Sequence, residues 1–305
     1  MRIGYAIDLH APAEATDEVR WDHVRQQAQL AEAVGFDLVL LPDHLYYAAG
    51  GAGDYARDDA AVGVWESVTV AAAIAASTTT IVVGHSMINA PYRPPALLAN
   101  IATTLDEISG GRYQLGIGSG NSDDYDAVGV EADHRHDRFR EAVEIVHGLL
   151  KRGHVDLDGR YWSARHAELV LRGPREHGPP LVLAAGGMRS MRLAAGYADA
   201  WNGFAAPDPG HAELRTLLDH LGTACSEVGR DPATLGRTVD TLVDPLDLER
   251  ARERSSVALL SLASLGIEEA RCYASTDGTH ASRMDAIAGM ADLVAAAHTV
   301  AGAPS

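Results

Sequence analysis

Eight short apolar or β-branched runs, at residues 3–9, 38–42, 80–84, 112–117, 181–185, 200–204, 238–243 and 269–274, alternate along the chain with longer stretches of helical spacing. Val24, Ala28, Ala31 and Val34 keep the helical period after the first run. Phe139, Val143, Val146 and Leu150 keep it in mid-chain, and Met284, Ile287, Ala291 and Val294 near the end. Eight strand–helix units with strands covered on both faces predict a closed parallel (β/α)8 TIM barrel with extended βα loops, rather than an open doubly wound sheet.

Helix punctuation agrees. Pro94-Pro95 opens a helix that Ser109-Gly110-Gly111 ends, and Ala33-Val34-Gly35-Phe36-Asp37 closes the first helix just before the second strand. No linker or composition break divides the 305 residues, so residues 1–305 are expected to form one barrel domain. The segments 45–64, 121–137, 154–180 and 244–254 exceed ordinary loop length, and the first two follow strands two and four, on the rim where such barrels carry function.

Composition removes several classes of function. A net charge of −17 with no Lys/Arg cluster opposes nucleic acid as a partner. No apolar run reaches the roughly 20 residues that span a bilayer, and the N-terminus lacks the layout of a signal peptide, so a cytoplasmic protein is expected. Cys225 and Cys272 lack metal or disulfide spacing and read as buried thiols. Asp133-His134-Arg135-His136-Asp137 precedes a helix, where Asp133 or Asp137 serves as a cap, and no metal site is expected. There is no G-x-S-x-G elbow, P-loop or H-E-x-x-H.

In a barrel of this kind the residues just after each strand face the site. Strand two ends in Pro42-Asp43-His44, strand three in His85-Ser86-Met87, strand four in Gly116-Ile117-Gly118-Ser119-Gly120-Asn121, and strand five in Ala184-Ala185-Gly186-Gly187-Met188. His44 is the candidate proton donor or base, because imidazole titrates near neutrality; a bond to Asp43 or a nearby carbonyl is the plain alternative. Gly186-Gly187 leads into a helix whose free N–H groups can cradle a phosphate, assisted by Arg189 and Ser190, although a tight turn alone explains the glycines too. Glycines 116, 118 and 120 miss the dinucleotide spacing and read as room for a flat ring.

Several ordered blocks together resemble the bacterial luciferase-like monooxygenases and their coenzyme F420-dependent relatives. They are Ala31-Glu32-Ala33-Val34-Gly35-Phe36-Asp37, Pro42-Asp43-His44, Trp65-Glu66, Pro91-Tyr92-Arg93-Pro94-Pro95, Thr104-Leu105-Asp106-Glu107-Ile108-Ser109-Gly110-Gly111-Arg112, Leu115-Gly116-Ile117-Gly118-Ser119-Gly120, Asp137-Arg138-Phe139, Gly186-Gly187 and Ala198-Asp199-Ala200-Trp201-Asn202. The resemblance covers most of residues 1–204 and is weak beyond Phe204. It implies that His44 lies near a reactive ring, that Ser86-Met87 is a non-prolyl cis peptide supporting it, and that Gly186, Gly187 and Met188 hold a cofactor phosphate through their N–H groups. Asp43, Gly118 and Ala185 join these as cofactor contacts. Asn121 stands where some F420-using relatives carry an acid, which puts an acid role there in doubt and leaves a hydrogen bond to the ring or ribityl chain.

The function so implied is hydride transfer between coenzyme F420 and a small organic substrate. The runner-up is a monooxygenase using reduced FMN supplied by a separate reductase. A non-catalytic flavin- or deazaflavin-binding protein is a third reading, and a metal-dependent hydrolase a fourth, with only His44 and His85 as strand-end ligands. Basic residues are nearly all Arg, with Lys151 the only lysine; this mark of GC-rich coding accompanies organisms that make the deazaflavin. Tyr46, Tyr47, Tyr55 and Tyr125 in the long loops point to a flat or apolar substrate. Apolar-rich helices at 65–77 and 95–108 predict a homodimer.

Overall fold

The structure, a computed structural model, describes residues 1–11, 19–47, 61–120, 125, 128–131, 133–206, 210–243, 257–258, 261–274, 276 and 278–301. Each of the eight expected strands is present: β1 (Arg2–Ala6), β2 (Leu38–Leu41), β3 (Val82–His85), β4 (Tyr113–Gly118), β5 (Leu181–Ala184), β6 (Ala200–Ala205), β7 (Gly236–Val243) and β8 (Glu269–Ala274). All pair in parallel with their sequence neighbours. The ring closes where Arg2 faces Glu269 between β1 and β8 and Leu115 faces Leu181 between β4 and β5. This is the closed eight-stranded parallel barrel expected from the sequence.

Among the described residues the long helices are α1 (Trp21–Val34), α2 (Ser67–Ser77), α3 (Pro95–Ser109), α4 (Arg135–Arg152), α5 (Met188–Tyr197), α6 (Ala212–Glu227), α7 (His280–Gly289) and α8 (Ala291–Ala301). Their ends follow from local chemistry. Gly35 and Gly110 adopt φ of 98° and 65°, returning N–H groups to the last carbonyls of α1 and α3. The Glu66 carboxylate caps α2 through the N–H groups of Val68 (3.2 Å) and Thr69 (2.7 Å).

Alternate strand residues divide the interior. Ile3, Tyr5, Val39, Leu41, Val83 and Leu115 belong to the continuous apolar core packed against the helices, which is why these strands read as unbroken apolar runs. The opposite set fills the barrel, where β6 to β8 contribute polar side chains: Asn202, Thr238, Asp240, Glu269 and Arg271.

Three expectations need correction. The final helical stretch is two helices, separated at Met290. Segment 154–180 carries an antiparallel hairpin of His154–Asp158 with Ser163–Glu168. Neither Asp133 nor Asp137 caps α4, because His134 occupies that position with φ 54° and no side-chain cap, and Asp137 pairs instead with Arg189 at 2.8 Å. Among the described residues, no helix is long and apolar enough to cross a membrane.

Candidate active site

The carboxyl ends of the strands open on a cavity of about 500 Å³, within the range of small-molecule sites. Its shape begins with a register change. Gly84 pairs with Gln114 and Ile88 with Ile117, four residues apart on one side and three on the other, so one extra residue bulges at Ser86-Met87. The peptide between Ser86 and Met87 is cis, as the resemblance implied. The bulge directs Met87 into the cavity.

Gly116 makes the bulge possible. A Cβ there would overlap the His85 carbonyl oxygen and lie 2.6 Å from the Met87 sulfur, and one at Gly120 would overlap the Tyr125 hydroxyl and the Asn89 carboxamide. These two glycines therefore make room for the protein itself rather than for a ring. Gly118, whose missing Cβ would sit 3.4 Å from Met87, borders the cavity.

His44 is half-buried, tilts against the Tyr47 ring at 4.6 Å, and borders both this cavity and a smaller one beside it. The loop carrying it is held by Asp43. That buried carboxylate accepts from Ser67 Oγ (2.6 Å), the Asn89 N–H (2.8 Å) and both Arg93 Nη atoms (2.6 and 3.0 Å). Burial favours the neutral acid, but the hydrogen bonds and charge of Arg93 outweigh it, and Asp43 ionises below the usual carboxylate range. Asp43 borders the cavity, and its charge is matched inside the protein by Arg93.

Met87, Gly118, Ala185 and Gly186 join His44 around the cavity, and Ser86 borders the smaller one. Gly187 precedes the first turn of α5, where a Cβ at Gly186 or Gly187 would meet nothing within 4 Å. The leading N–H groups of a helix have no partner within it, so the start at Met188 offers donors to an anion. The Gly187 N–H itself reaches Ser190 Oγ at 3.3 Å, and Arg189 is held by Asp137. Arg189 and Ser190 are thus engaged by contacts within the protein. Asn121 lies outside the described residues.

A family model described as luciferase-like monooxygenase matches residues 1–304. The chain belongs to the luciferase-like monooxygenase family. It is 32% identical over 253 residues to an F420-dependent glucose-6-phosphate dehydrogenase of Beutenbergia cavernae, covering 79% of this chain and 70% of that protein. To a 5,10-methylenetetrahydromethanopterin reductase of Archaeoglobus fulgidus it is 30% identical over 186 residues, covering 61% of this chain and half of that one. A solved F420-dependent secondary alcohol dehydrogenase, in complex with an F420–acetone adduct, superposes with a TM-score of 0.73 over 97% of this chain and 98% of its own at 19% identity, a likeness of fold.

The luciferase-like chain also places polar groups under this cavity that sequence reasoning passed over. Asp240 and Asn202 line its floor. Asp240 accepts from Ser86 Oγ (3.0 Å) and Asn202 Nδ2 (3.1 Å), and Asn202 Oδ1 accepts from Thr238 (2.6 Å). Beneath them, fully buried Arg271 donates to Glu269 (2.7 Å) and Ser86 Oγ (3.3 Å), and its Nη2 has no partner among the described residues. Burial raises the Asp240 carboxyl above its ordinary value despite the Arg271 charge. The signal was present: Asp240 is the one charged residue of a run otherwise apolar or β-branched, and it falls on the inward register. His85 is a different case, buried against Tyr113 with Nδ1 to hydroxyl at 2.8 Å, and desolvation lowers it to about 4. It is neutral and borders neither cavity.

Proposed function

We propose that the chain is a single-domain oxidoreductase that transfers a hydride between coenzyme F420 and a small organic substrate. The observation that carries this reading is the cavity that brings together His44, Met87, Gly118 and Gly186, which lies two residues before the start of α5. The F420-dependent relative at 32% identity supports the choice of cofactor.

The residues fit such a group. A cavity of about 500 Å³ accommodates a flat tricyclic ring, and the α5 start supplies N–H donors and a favourable dipole for a phosphate. Met188 with Gly186 and Gly187 would hold that phosphate, while Ser86, Met87, Gly118 and Ala185 would flank the ring. When bound, F420 supplies a carbon that accepts or donates a hydride. His44, at the junction of the two cavities, handles the substrate's proton.

A cytoplasmic homodimer belongs to the same reading. Trp65, Leu97 and Ile108, on and beside α2 and α3, are 56%, 50% and 44% exposed, apolar side chains that a second copy could cover; a dimer mass in light scattering supports this and a monomer mass contradicts it. For the activity, the purified chain is mixed with F420 and a panel of alcohols and the loss of deazaflavin absorbance is followed. Reduction with at least one alcohol supports the reading. Oxygen-dependent turnover with reduced FMN alone would replace it with the monooxygenase reading.

A further inference from the structure

Among the described residues, three ionisable side chains border the main cavity: Asp43, His44 and Asp240. Asp43 is paired with Arg93 and stays ionised, and His44 takes the substrate's proton in the proposed reaction. Asp240 is placed differently. It lies in the cavity floor on β7, and its oxygens accept from neutral donors, Ser86 Oγ at 3.0 and 3.2 Å and Asn202 Nδ2 at 3.1 Å. Arg271 stands opposite it in register on β8 but gives Nε to Glu269 at 2.7 Å and Nη1 to Ser86 Oγ at 3.3 Å. Among the described residues no cation pairs with Asp240.

The other groups around it are matched or neutral. Arg271 and Glu269 form an ion pair on β8, and Asp43 and Arg93 form another across the cavity. Burial keeps the Cys272 thiol and the His85 ring uncharged, and the Tyr273 hydroxyl donates to the Ser86 carbonyl at 3.1 Å. On the other side β6 presents Asn202 and Phe204, neither of which ionises. An ionised Asp240 therefore puts an unmatched negative charge directly under the cavity. Such a carboxylate ionises reluctantly, and any negative charge brought in above it opposes ionisation further.

We propose that Asp240 is the charge-balancing acid of the cavity, protonated beneath a reduced cofactor ring and free to ionise beneath an oxidised one. The proposal rests on the hydride-transfer reading for the source of the charge, because a hydride delivered to a neutral ring leaves one negative charge behind. In alcohol oxidation the substrate C–H bond breaks and its electron pair goes to the cofactor with the hydrogen. The O–H proton goes to His44, the C=O bond forms, and the Asp240 carboxylate takes a separate proton from solvent; reduction reverses each transfer. An acid that served only to hold Ser86 would keep the same proton in both redox states.

Infrared spectra of the holoprotein, labelled with carbon-13 aspartate and titrated with the cofactor oxidised and then reduced, read that proton directly. An aspartic acid carbonyl band, absent in Asp240→Asn, is expected to persist at least one pH unit higher with the reduced cofactor. Calorimetry gives the matching linkage. The wild-type ratio of reduced to oxidised F420 affinity is expected to fall more steeply with pH than that of Asp240→Asn, which cannot ionise, by up to about tenfold per pH unit. A band that titrates at the same pH in both redox states, or affinity ratios that fall equally in the two proteins, overturns the proposal. The same measurements are made with FMN. A redox-dependent band with FMN in a protein that does not bind F420 upholds the role of Asp240 and removes the F420 reading alone, whereas binding of neither cofactor overturns both.

Discussion

Arg93 closes both Nη atoms on the Asp43 carboxylate, at 2.6 and 3.0 Å, and this pair fixes the turn that presents His44. Its partners' side chains are 12% and 2% exposed, so breaking it strands a buried charge. Arg93→Met is expected to cost about 3–5 kcal/mol, and adding Asp43→Asn is expected to recover part of that loss. Chemical denaturation of the single and double variants checks this. Because Asp43 ionises below its unfolded value, its contribution is present above the usual carboxylate range near pH 4 and is lost as pH falls through the folded value.

Asp240 has the opposite sign. Burial raises its folded pKa, so the neutral acid is favoured on folding; the contribution is complete below the unfolded pKa near 4 and is lost as pH rises through the folded value. Asp240→Asn, which keeps the shape, is therefore expected to raise Tm at pH 7 and to leave it nearly unchanged at pH 4. Melting curves at the two pH values decide, and a lower Tm at pH 7 contradicts the assignment.

Gly116 and Gly186 should respond differently to the same methyl group. The Gly116 methyl would overlap the His85 carbonyl, a backbone atom, whereas the Gly186 methyl meets open space. Gly116→Ala is expected to destabilise by about 1–3 kcal/mol or more, with Gly186→Ala within about 0.5 kcal/mol of wild type. Equal Tm values for the two variants would disprove the bulge's dependence on Gly116.

His44 borders both cavities, so its removal should strike turnover more than cofactor binding. His44→Asn is expected to lower kcat by about 100- to 10,000-fold with F420 affinity retained. Equal losses in both would make His44 a binding residue.

The eight strands were legible because their outward residues, such as Ile3, Val39 and Leu115, meet an apolar helical shell, which leaves an unbroken hydrophobic signature. The inward register was not, since its pattern depends on which strands contribute polar groups to a closed interior. Asp240 and Arg271 are far apart in sequence, and only closure brings both to Ser86. The last helical stretch shows the same limit: its apolar period points to Met284, while the residue turned fully inward is Arg283, held by Asp8 from the far end of the chain. Gly116 and Gly120 were visible as glycines, but their neighbours, His85 and Tyr125, were not.

The central claim is that the cavity above the barrel binds F420 with its phosphate at the start of α5. Calorimetric titration of the wild-type chain and of Gly187→Asp with F420, and separately with FMN, tests it most directly. A Cβ at Gly187 meets nothing within 4 Å, so the aspartate adds a negative charge beside the proposed phosphate without disturbing the fold. Tight binding of F420 in preference to FMN, weakened at least tenfold in the variant, is the predicted result. Preference for FMN, or F420 affinity unchanged by the aspartate, would contradict it.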